Sequence, residues 1–379
     1  MFNPFCPVDV RVLQKTEGLQ TVRDFFADRK QQLLVLAPRS LCDALGLASF
    51  FAALQSDGHA LRLESDIPAN PSVGELSALL AQLRGQPFVP TAILAIGGGS
   101  CMDLGKGVSA LLHLPHTGDE QEVRAAIQQK AYLHEHPFVD LVVMPTTAGT
   151  GSEVTQWATI WDTANAAKLS IDCEGCFARA AVLIPEWTVG MPPELTLSTG
   201  LDALTHAVEA FWSVNRTPLA QALAFTSIQK IHDFLPMVLQ NPRSLSMRRE
   251  MTLGALLAGL AFSQTHTTAC HSISYPLTMS FGIPHGYAAA LTLCSVWRRN
   301  QEVVAELKKL DALFANEGGI ERWLEDVCVG VQPLCLRAFG VREEGLSGVA
   351  DRAFTAGRMD HNPVPFTRED VLDILRECL

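Results

Sequence analysis

Two apolar runs that each end in a small-residue loop constrain this chain most tightly: TAILAIGGGSCMDLGKGVSALL, with glycines at Gly97, Gly98 and Gly99, and LVVMPTTAGTGSEVT, beginning at Leu141. Each reads as a buried strand that turns sharply at its end. Consecutive glycines let a backbone approach a pyrophosphate closely, and a helix starting there offers unpaired N–H groups and the positive end of its dipole. Ser100 and Asp103 have the spacing of a capping box, which predicts a helix capped by Ser100. The second loop carries hydroxyls and amides at Thr146, Thr147 and Ser152 suited to ribose, phosphate or amide groups. Either loop alone is also what a ligand-free turn looks like; two at strand ends of one sheet are where open α/β folds bind nucleotides. Neither reads G-x-x-x-x-G-K-[ST], which argues against a Walker-type nucleotidase.

The first half alternates apolar runs with amphipathic ones (QQLLVLAP, LCDALGLASFFAAL, ELSALLAQLRGQ), the rhythm of a parallel βαβ sheet. Prolines 185, 192 and 193 then interrupt the pattern, and beyond them apolar residues recur at helical spacing. The expected division is an α/β domain over residues 1–188 and an all-helical domain over 189–379. The run LGALLAGLAF, residues 253–262, is too short to span a bilayer and fits a buried helix.

A chain of 379 residues with 48% hydrophobic content can bury two cores. A net charge of −11 without a basic stripe argues against a nucleic-acid partner. The N-terminal MFNPFCPVDV lacks the basic and apolar regions of a signal peptide, and no run is long enough for a membrane span, so a cytoplasmic location is expected. The ten cysteines follow no disulfide framework; Cys173 and Cys176 form the one close pair and read as incidental thiols on a turn. The acidic run Asp119–Glu122 reads as solvated.

Asp202 and His206, four apart in GLDALTHAVEA, share one face of a helix for which Thr199 is a candidate cap. His271 lies on a helix-like run, and Pro284-His285-Gly286 reads as a rigid turn that fixes one imidazole. One carboxylate and three imidazoles suit Zn(II) or Fe(II) far better than Ca(II) or Mg(II). His266, five residues before His271, falls off that residue's face and is read as no ligand. His113, His116, His134, His136, His232 and His361 are assigned surface or loop roles, with the segment RMDHNPVP around His361 the one most able to return to the site.

These residues match a known pattern. GGGSCMD, MPTTAGTGSEVT, GLDALTHAVEA, the His271 to His285 pair ending in PHG, and the tail NPVPFTREDVLDIL resemble the iron-containing (group III) alcohol dehydrogenases, in order and over most of the chain. The resemblance implies a Rossmann-like parallel-sheet domain followed by a helical domain, with the active site in the cleft between them, and often a homodimer. It implies one divalent metal, Fe(II) or Zn(II), on Asp202, His206, His271 and His285. It also implies NAD(P)H held by Gly97, Gly98, Gly99, Ser100 and Asp103, with further contacts around Thr146, Thr147, Ser152 and Lys168. The implied activity is hydride transfer between nicotinamide and a small carbonyl or alcohol.

Three positions depart from the family. Where many relatives have a histidine one turn after the third ligand this chain has Tyr275, whose phenol should face the metal and compete with ribose hydroxyls and water for the proton relay. The second strand ends in Ala37-Pro38-Arg39 where NAD-preferring members often carry an acid, leaving room for a 2′-phosphate on Arg39 and hence for NADPH. Ile184-Pro185 replaces the usual Asp-Pro and reads as structural drift. HSISYPLT with GIPHG looks most like the branch that reduces phosphonoacetaldehyde and related phosphono-carbonyl compounds; such a substrate needs a cationic pocket, for which Arg358 beside His361 is the candidate. Two rival readings use the same parts: a metal-dependent lyase on the related dehydroquinate-synthase scaffold, and a non-catalytic dinucleotide-binding protein.

Overall fold

The computed structural model describes residues 6–115, 117–134, 136–165 and 167–379; His116 lies outside the described residues. The chain divides into two compact units, the first made of residues up to Thr147 with Ser152–Thr188, the second of Ala148–Gly151 with Val189–Leu379.

The first unit is built on a six-stranded parallel sheet of β1 (Asp9–Val12), β2 (Gln32–Leu36), β3 (Ala60–Glu64), β4 (Ala92–Gly97), β5 (Asp140–Pro145) and β8 (Ala180–Leu183), in the order β1-β8-β5-β4-β2-β3. The helices are α1 (Lys15–Phe25), α2 (Arg39–Leu45), α3 (Ala48–Ser56), α4 (Val73–Arg84), α5 (Gly99–Leu111) and α6 (Glu120–Gln128). All six residues of β4 are buried, which is why AILAIG reads as a continuous apolar run rather than an alternating one. Val22, Phe26, Phe50 and Leu54 of the α1 to α3 side pack with Leu33, Val35, Leu94, Ile96 and Val182 of the sheet into one apolar core. Between β2 and β4 the strand order reverses, the position where open α/β sheets form a crevice beyond the strand ends.

Sequence patterning singled out the runs that form β2, β4 and β5 but not β1, β3 or β8, nor the antiparallel hairpin of β6 (Trp157–Asp162) and β7 (Ala167–Asp172). WATIWD is buried on both faces along most of its length, so it lacks the alternation that marks a half-exposed strand. The acidic run is exposed over Asp119–Gln121 and also does capping work: Asp119 accepts from the amide of Glu122 at 2.9 Å at the start of α6.

The second unit is helical: α7 (Pro193–Trp212), α8 (Pro218–Gln240), α9 (Leu245–Thr265), α10 (Ala269–Phe281), α11 (His285–Leu291), α12 (Leu293–Asn300), α13 (Lys308–Leu313), α14 (Ile320–Cys328), α15 (Glu343–Arg352) and α16 (Arg368–Glu377). α7 is buried almost all round, packed against α8, α9 and α11. It starts earlier than Thr199 suggested, because Pro192 and Pro193 occupy the N-terminal positions where a missing N–H costs nothing. Thr199 therefore lies inside the helix and donates to the Leu195 carbonyl at 2.8 Å. No helix among the described residues is long and apolar enough to cross a membrane.

His232 does not take the surface or loop role expected of it. It sits mid-way along α8, stacked on Trp323 at 5.7 Å and edge-on to Phe314 at 5.0 Å, because that face of the helix covers a small aromatic cluster. His113 and His134 are exposed, and the His136 ring bonds the carbonyls of His134 and Ala110.

Glu153, in the short 3-10 turn Ser152–Val154, is buried. Burial pushes its carboxyl up to about 7, against the pull of its own amide and the Lys106 ammonium. Its folded value lies above its unfolded one, so its contribution to stability is full below the unfolded value and is lost as pH rises toward 7. Urea unfolding of Glu153→Gln against the parent should show the variant gaining about 2 kcal/mol relative to the parent between pH 5 and pH 7.5. A difference that does not change with pH would contradict the assignment.

Candidate metal and cofactor sites

In the second unit, α7 places Asp202 and His206 one turn apart, α10 carries His271, and His285 is the first residue of α11 rather than part of a turn. A Cβ on Gly286 would overlap the Ser198 carbonyl, so only glycine there lets the first turn of α11 close on α7 and bring His285 inward. The ligand atoms of Asp202, His271 and His285 all lie within 4.8 Å of one another. Asp202 Oδ1 is 3.4 Å from His271 Nε2 and 3.9 Å from His285 Nε2. Ligands about 2.1 Å from one tetrahedral metal are separated by about 3.4 Å, so these spacings fit a shared cation.

His206 stands apart from that converging trio. Its ring is sandwiched between Phe262 at 4.1 Å and His271 at 4.2 Å, and its Nδ1 lies 3.9 Å from the same Asp202 oxygen. Asp202 Oδ1, His206 Nδ1 and His271 Nε2 are buried with no hydrogen-bond partner in the structure. Buried polar atoms left without partners are costly unless something binds them, and two of these three, Asp202 Oδ1 and His271 Nε2, belong to the converging trio. One carboxylate with imidazoles is the donor set of a borderline divalent metal, so the residues fit the group.

Charges around the site agree. Burial would raise the Asp202 carboxyl, but His206, His271 and His285 hold it well below the usual carboxylate range. Burial drives His206 down to about 3, against the attraction of Asp202. His271 goes the other way, raised to about 10, because Glu209 and Asp202 together outweigh its burial.

Glu209 was not singled out from the sequence. It is fully buried and accepts from His271 Nδ1 at 2.6 Å, Thr268 N at 2.9 Å, Thr268 Oγ1 at 2.9 Å and Cys270 N at 2.6 Å. Despite burial, those partners, His271 first, keep it ionised. Its bond to Nδ1 fixes the His271 tautomer so that Nε2 faces the cation. The signal was present: Glu209 is seven residues after Asp202, on the same stripe of α7. Tyr275, buried one turn beyond His271, stacks on His285 at 5.8 Å with an interplanar angle of 4°. His285 Nδ1 is 3.5 Å from Ser274 Oγ.

The first unit gathers the other expected residues. Gly98 caps α5, and Cys101 N and Met102 N bond back to its carbonyl, so helix geometry turns the amides of Gly99 and Ser100 out of the helix end. The expected capping box does not form. Ser100 Oγ instead accepts from Asn70 N at 3.0 Å, because the helix already begins at Gly99. Asp103 turns inward, accepting from Ser152 Oγ at 2.8 Å and Thr159 N at 3.0 Å. Thr146 N bonds the Gly97 carbonyl at 3.0 Å, and Thr147 borders Gly98. Burial raises the Asp103 carboxyl, against the pull of Lys106 first and least of Lys168, half-buried on β7. Arg39 is exposed at the start of α2, beyond β2, and Pro38 lies beside Gly97.

Lys106 is the second residue the sequence reading passed over. Its fully buried ammonium donates to Ser152 O at 2.6 Å, Ser152 Oγ at 2.9 Å and Trp157 O at 2.8 Å. It therefore staples the segment after β5 to the glycine-turn helix. A lysine inside the apolar run GKGVSALL was the available signal.

Glu209→Gln should weaken divalent-metal affinity about 10- to 100-fold, the usual loss when a carboxylate behind a ligating histidine is removed. Competition titration against a chelating dye, with circular dichroism to confirm folding, measures it. Unchanged affinity in a folded variant would remove Glu209 from the site.

Comparison with known proteins matches residues 9–185 to the iron-containing alcohol dehydrogenase model and residues 196–379 to the C-terminal model of the Fe-containing alcohol dehydrogenase family. Among similar proteins, the probable alcohol dehydrogenase EutG of Salmonella typhimurium is 31% identical over 90% of this chain and 86% of its own. The phosphonoacetaldehyde reductase of Streptomyces viridochromogenes is 32% identical over 82% and 81% respectively. The sulfoacetaldehyde reductase of Bifidobacterium kashiwanohense, solved in complex with NAD+, superimposes with a TM-score of 0.85 at 25% identity, covering 98% of this chain and 97% of that one. With both halves matched in order and a carboxylate and imidazoles converging in the helical unit, the chain belongs to the iron-containing alcohol dehydrogenase family and is a metal-dependent, NAD(P)H-linked oxidoreductase acting on alcohol and carbonyl groups.

Proposed function

We propose that this enzyme reduces a short aldehyde bearing a phosphono group or a closely related oxyanion, and that Asp202, His206, His271 and His285 together hold its metal, Fe(II) or Zn(II). The observation that carries the metal assignment is the convergence of Asp202 Oδ1, His271 Nε2 and His285 Nε2, with two of those atoms otherwise orphaned in the interior. For His206 to join them, its ring must turn from its stack on Phe262, and a bound cation favours that. The substrate class is supported by two relatives, one a phosphonoacetaldehyde reductase and one a sulfoacetaldehyde reductase. A lyase of the dehydroquinate-synthase type and a non-catalytic dinucleotide-binding protein are both less consistent with the family match.

When bound, the metal supplies Lewis-acid polarisation of a carbonyl and the nicotinamide supplies hydride. The chain's own part is to position and to move a proton. Glu209 holds His271 in one tautomer and orientation. The Gly97–Ser100 turn with Asp103, and the Thr146, Thr147, Ser152 and Lys168 group, are assigned to the dinucleotide, Asp103 also bracing the turn through Ser152 and Thr159. Arg39, beyond the end of β2, is assigned to a 2′-phosphate. Tyr275 Oη is assigned to proton delivery to the carbonyl oxygen. A cytoplasmic location and a homodimer are part of the same proposal, and sedimentation velocity tests the dimer.

The reading is tested by steady-state reduction of an aldehyde panel that includes phosphonoacetaldehyde, with NADH and NADPH, after loading with Fe(II) or Zn(II). NADPH should serve at least as well as NADH. Arg39→Ala should lower kcat/KM for NADPH about 10- to 100-fold more than for NADH, the loss expected for one charge-assisted contact. Equal losses would show that Arg39 does not read the phosphate.

Tyr275→Phe should retain metal and cofactor and lower kcat about 100-fold or more if the phenol delivers the proton. Wild-type rates on every aldehyde would reduce Tyr275 to a ring packed on His285.

A further inference from the structure

His266 was set aside as a ligand because it lies off the face of His271. Its backbone makes it the least expected residue in the helical unit. It ends α9 with φ 60° and ψ 171°. That combination is populated almost only by glycine, and another residue held there costs about 1–3 kcal/mol, so such outliers concentrate where a side chain is needed in a particular place. The other described non-glycine residues at positive φ are Asn70 and Lys130, and Lys130, with ψ 40°, sits in the ordinary left-handed well.

The strain places the His266 ring in a basic group. Arg358 Nη1 is 3.4 Å from His266 Nδ1, and the His361 ring centroid is 5.0 Å from that of His266. Arginine can only donate, so His266 Nδ1 accepts and the ring keeps its proton on Nε2. His361 Nδ1 is buried with no hydrogen-bond partner in the structure. Burial and the Arg358 charge hold His361 below the usual range, against the opposing pull of Asp360, so it meets a ligand as a neutral ring.

Both segments are tied to the metal site. The His266 amide bonds the carbonyl of Phe262, whose ring stacks on His206. Ser272, the residue after His271, donates to the Ala353 carbonyl at 2.5 Å and accepts from Thr355 N at 3.1 Å, which anchors the loop leading to Arg358. The His361 carbonyl accepts from Val214 N at 3.0 Å, and Asn362 exchanges reciprocal amide bonds with Asn300.

We infer that His266, Arg358 and His361 form the subsite that reads the anionic head group of the substrate, each offering a donor to one oxygen of a terminal three-oxygen oxyanion such as phosphonate or sulfonate. A carboxylate has two oxygens for three donors, and a neutral chain end leaves all three unmatched. The strained His266 backbone is then a specificity device: glycine would relieve the strain and lose the contact. The inference rests on the carbonyl-reduction reading for its kinetic arm alone.

Two variants test it, Arg358→Met and His266→Gly, assayed as metal-loaded enzyme on phosphonoacetaldehyde, sulfoacetaldehyde and the neutral propanal. In each variant the ratio of kcat/KM on an anionic aldehyde to that on propanal should fall about 10- to 100-fold. Arg358→Lys should recover part of the ratio. The melting temperature of His266→Gly should be equal to or above that of the parent, because glycine adopts the backbone freely. Calorimetric titration with ethylphosphonate, which cannot be reduced, should show weaker binding in both variants, and this arm reads the subsite even if no aldehyde is turned over. Selective loss for either anionic aldehyde supports the assignment. Equal loss on anionic and neutral aldehydes, or unchanged ethylphosphonate affinity in both variants, overturns it.

Discussion

Asp202 is 3% exposed, in the middle of a helix buried almost all round, and a carboxylate there must be compensated by positive charge. Much of the helical unit answers that requirement. α10 and α11 bring imidazoles toward its Oδ1, Gly286 clears the approach of α11 to α7, and Glu209 orients the nearest imidazole from behind. A site of this kind is better understood as a container for positive charge than as a stabilising ion-pair network, since buried pairs return little net stability.

The first unit solves a different problem, that of presenting backbone to a ligand without collapsing. Its glycine turn sits beside the reversal in strand order, and Lys106 fixes the neighbouring segment by satisfying the Ser152 and Trp157 carbonyls from within the core. Asp103 and Ser152, both expected at the cofactor, bond one another.

Periodicity made the strands, the glycine turns and the Asp202–His206 pair legible, because burial on both faces and the 3.6-residue repeat leave marks in a single sequence. What it did not show depended on competition between local signals. Ser100 and Thr199 are good caps, but Gly98 and the Pro192-Pro193 pair start their helices first. Glu209 lay on the same stripe as Asp202, yet its role depends on meeting α10, which no local pattern encodes. The positive φ of His266, where α9 ends, likewise leaves no mark in the residue spacing.

The central claim is that one metal is held by Asp202, His206, His271 and His285. Anomalous diffraction from crystals of iron- or zinc-loaded protein, recorded above and below the metal edge, tests it most directly. The account predicts a single strong peak about 2.0–2.3 Å from Asp202 Oδ1, His271 Nε2, His285 Nε2 and a ring nitrogen of His206. A loaded protein whose peak lies elsewhere, or whose His206 remains stacked on Phe262 away from the metal, would contradict it.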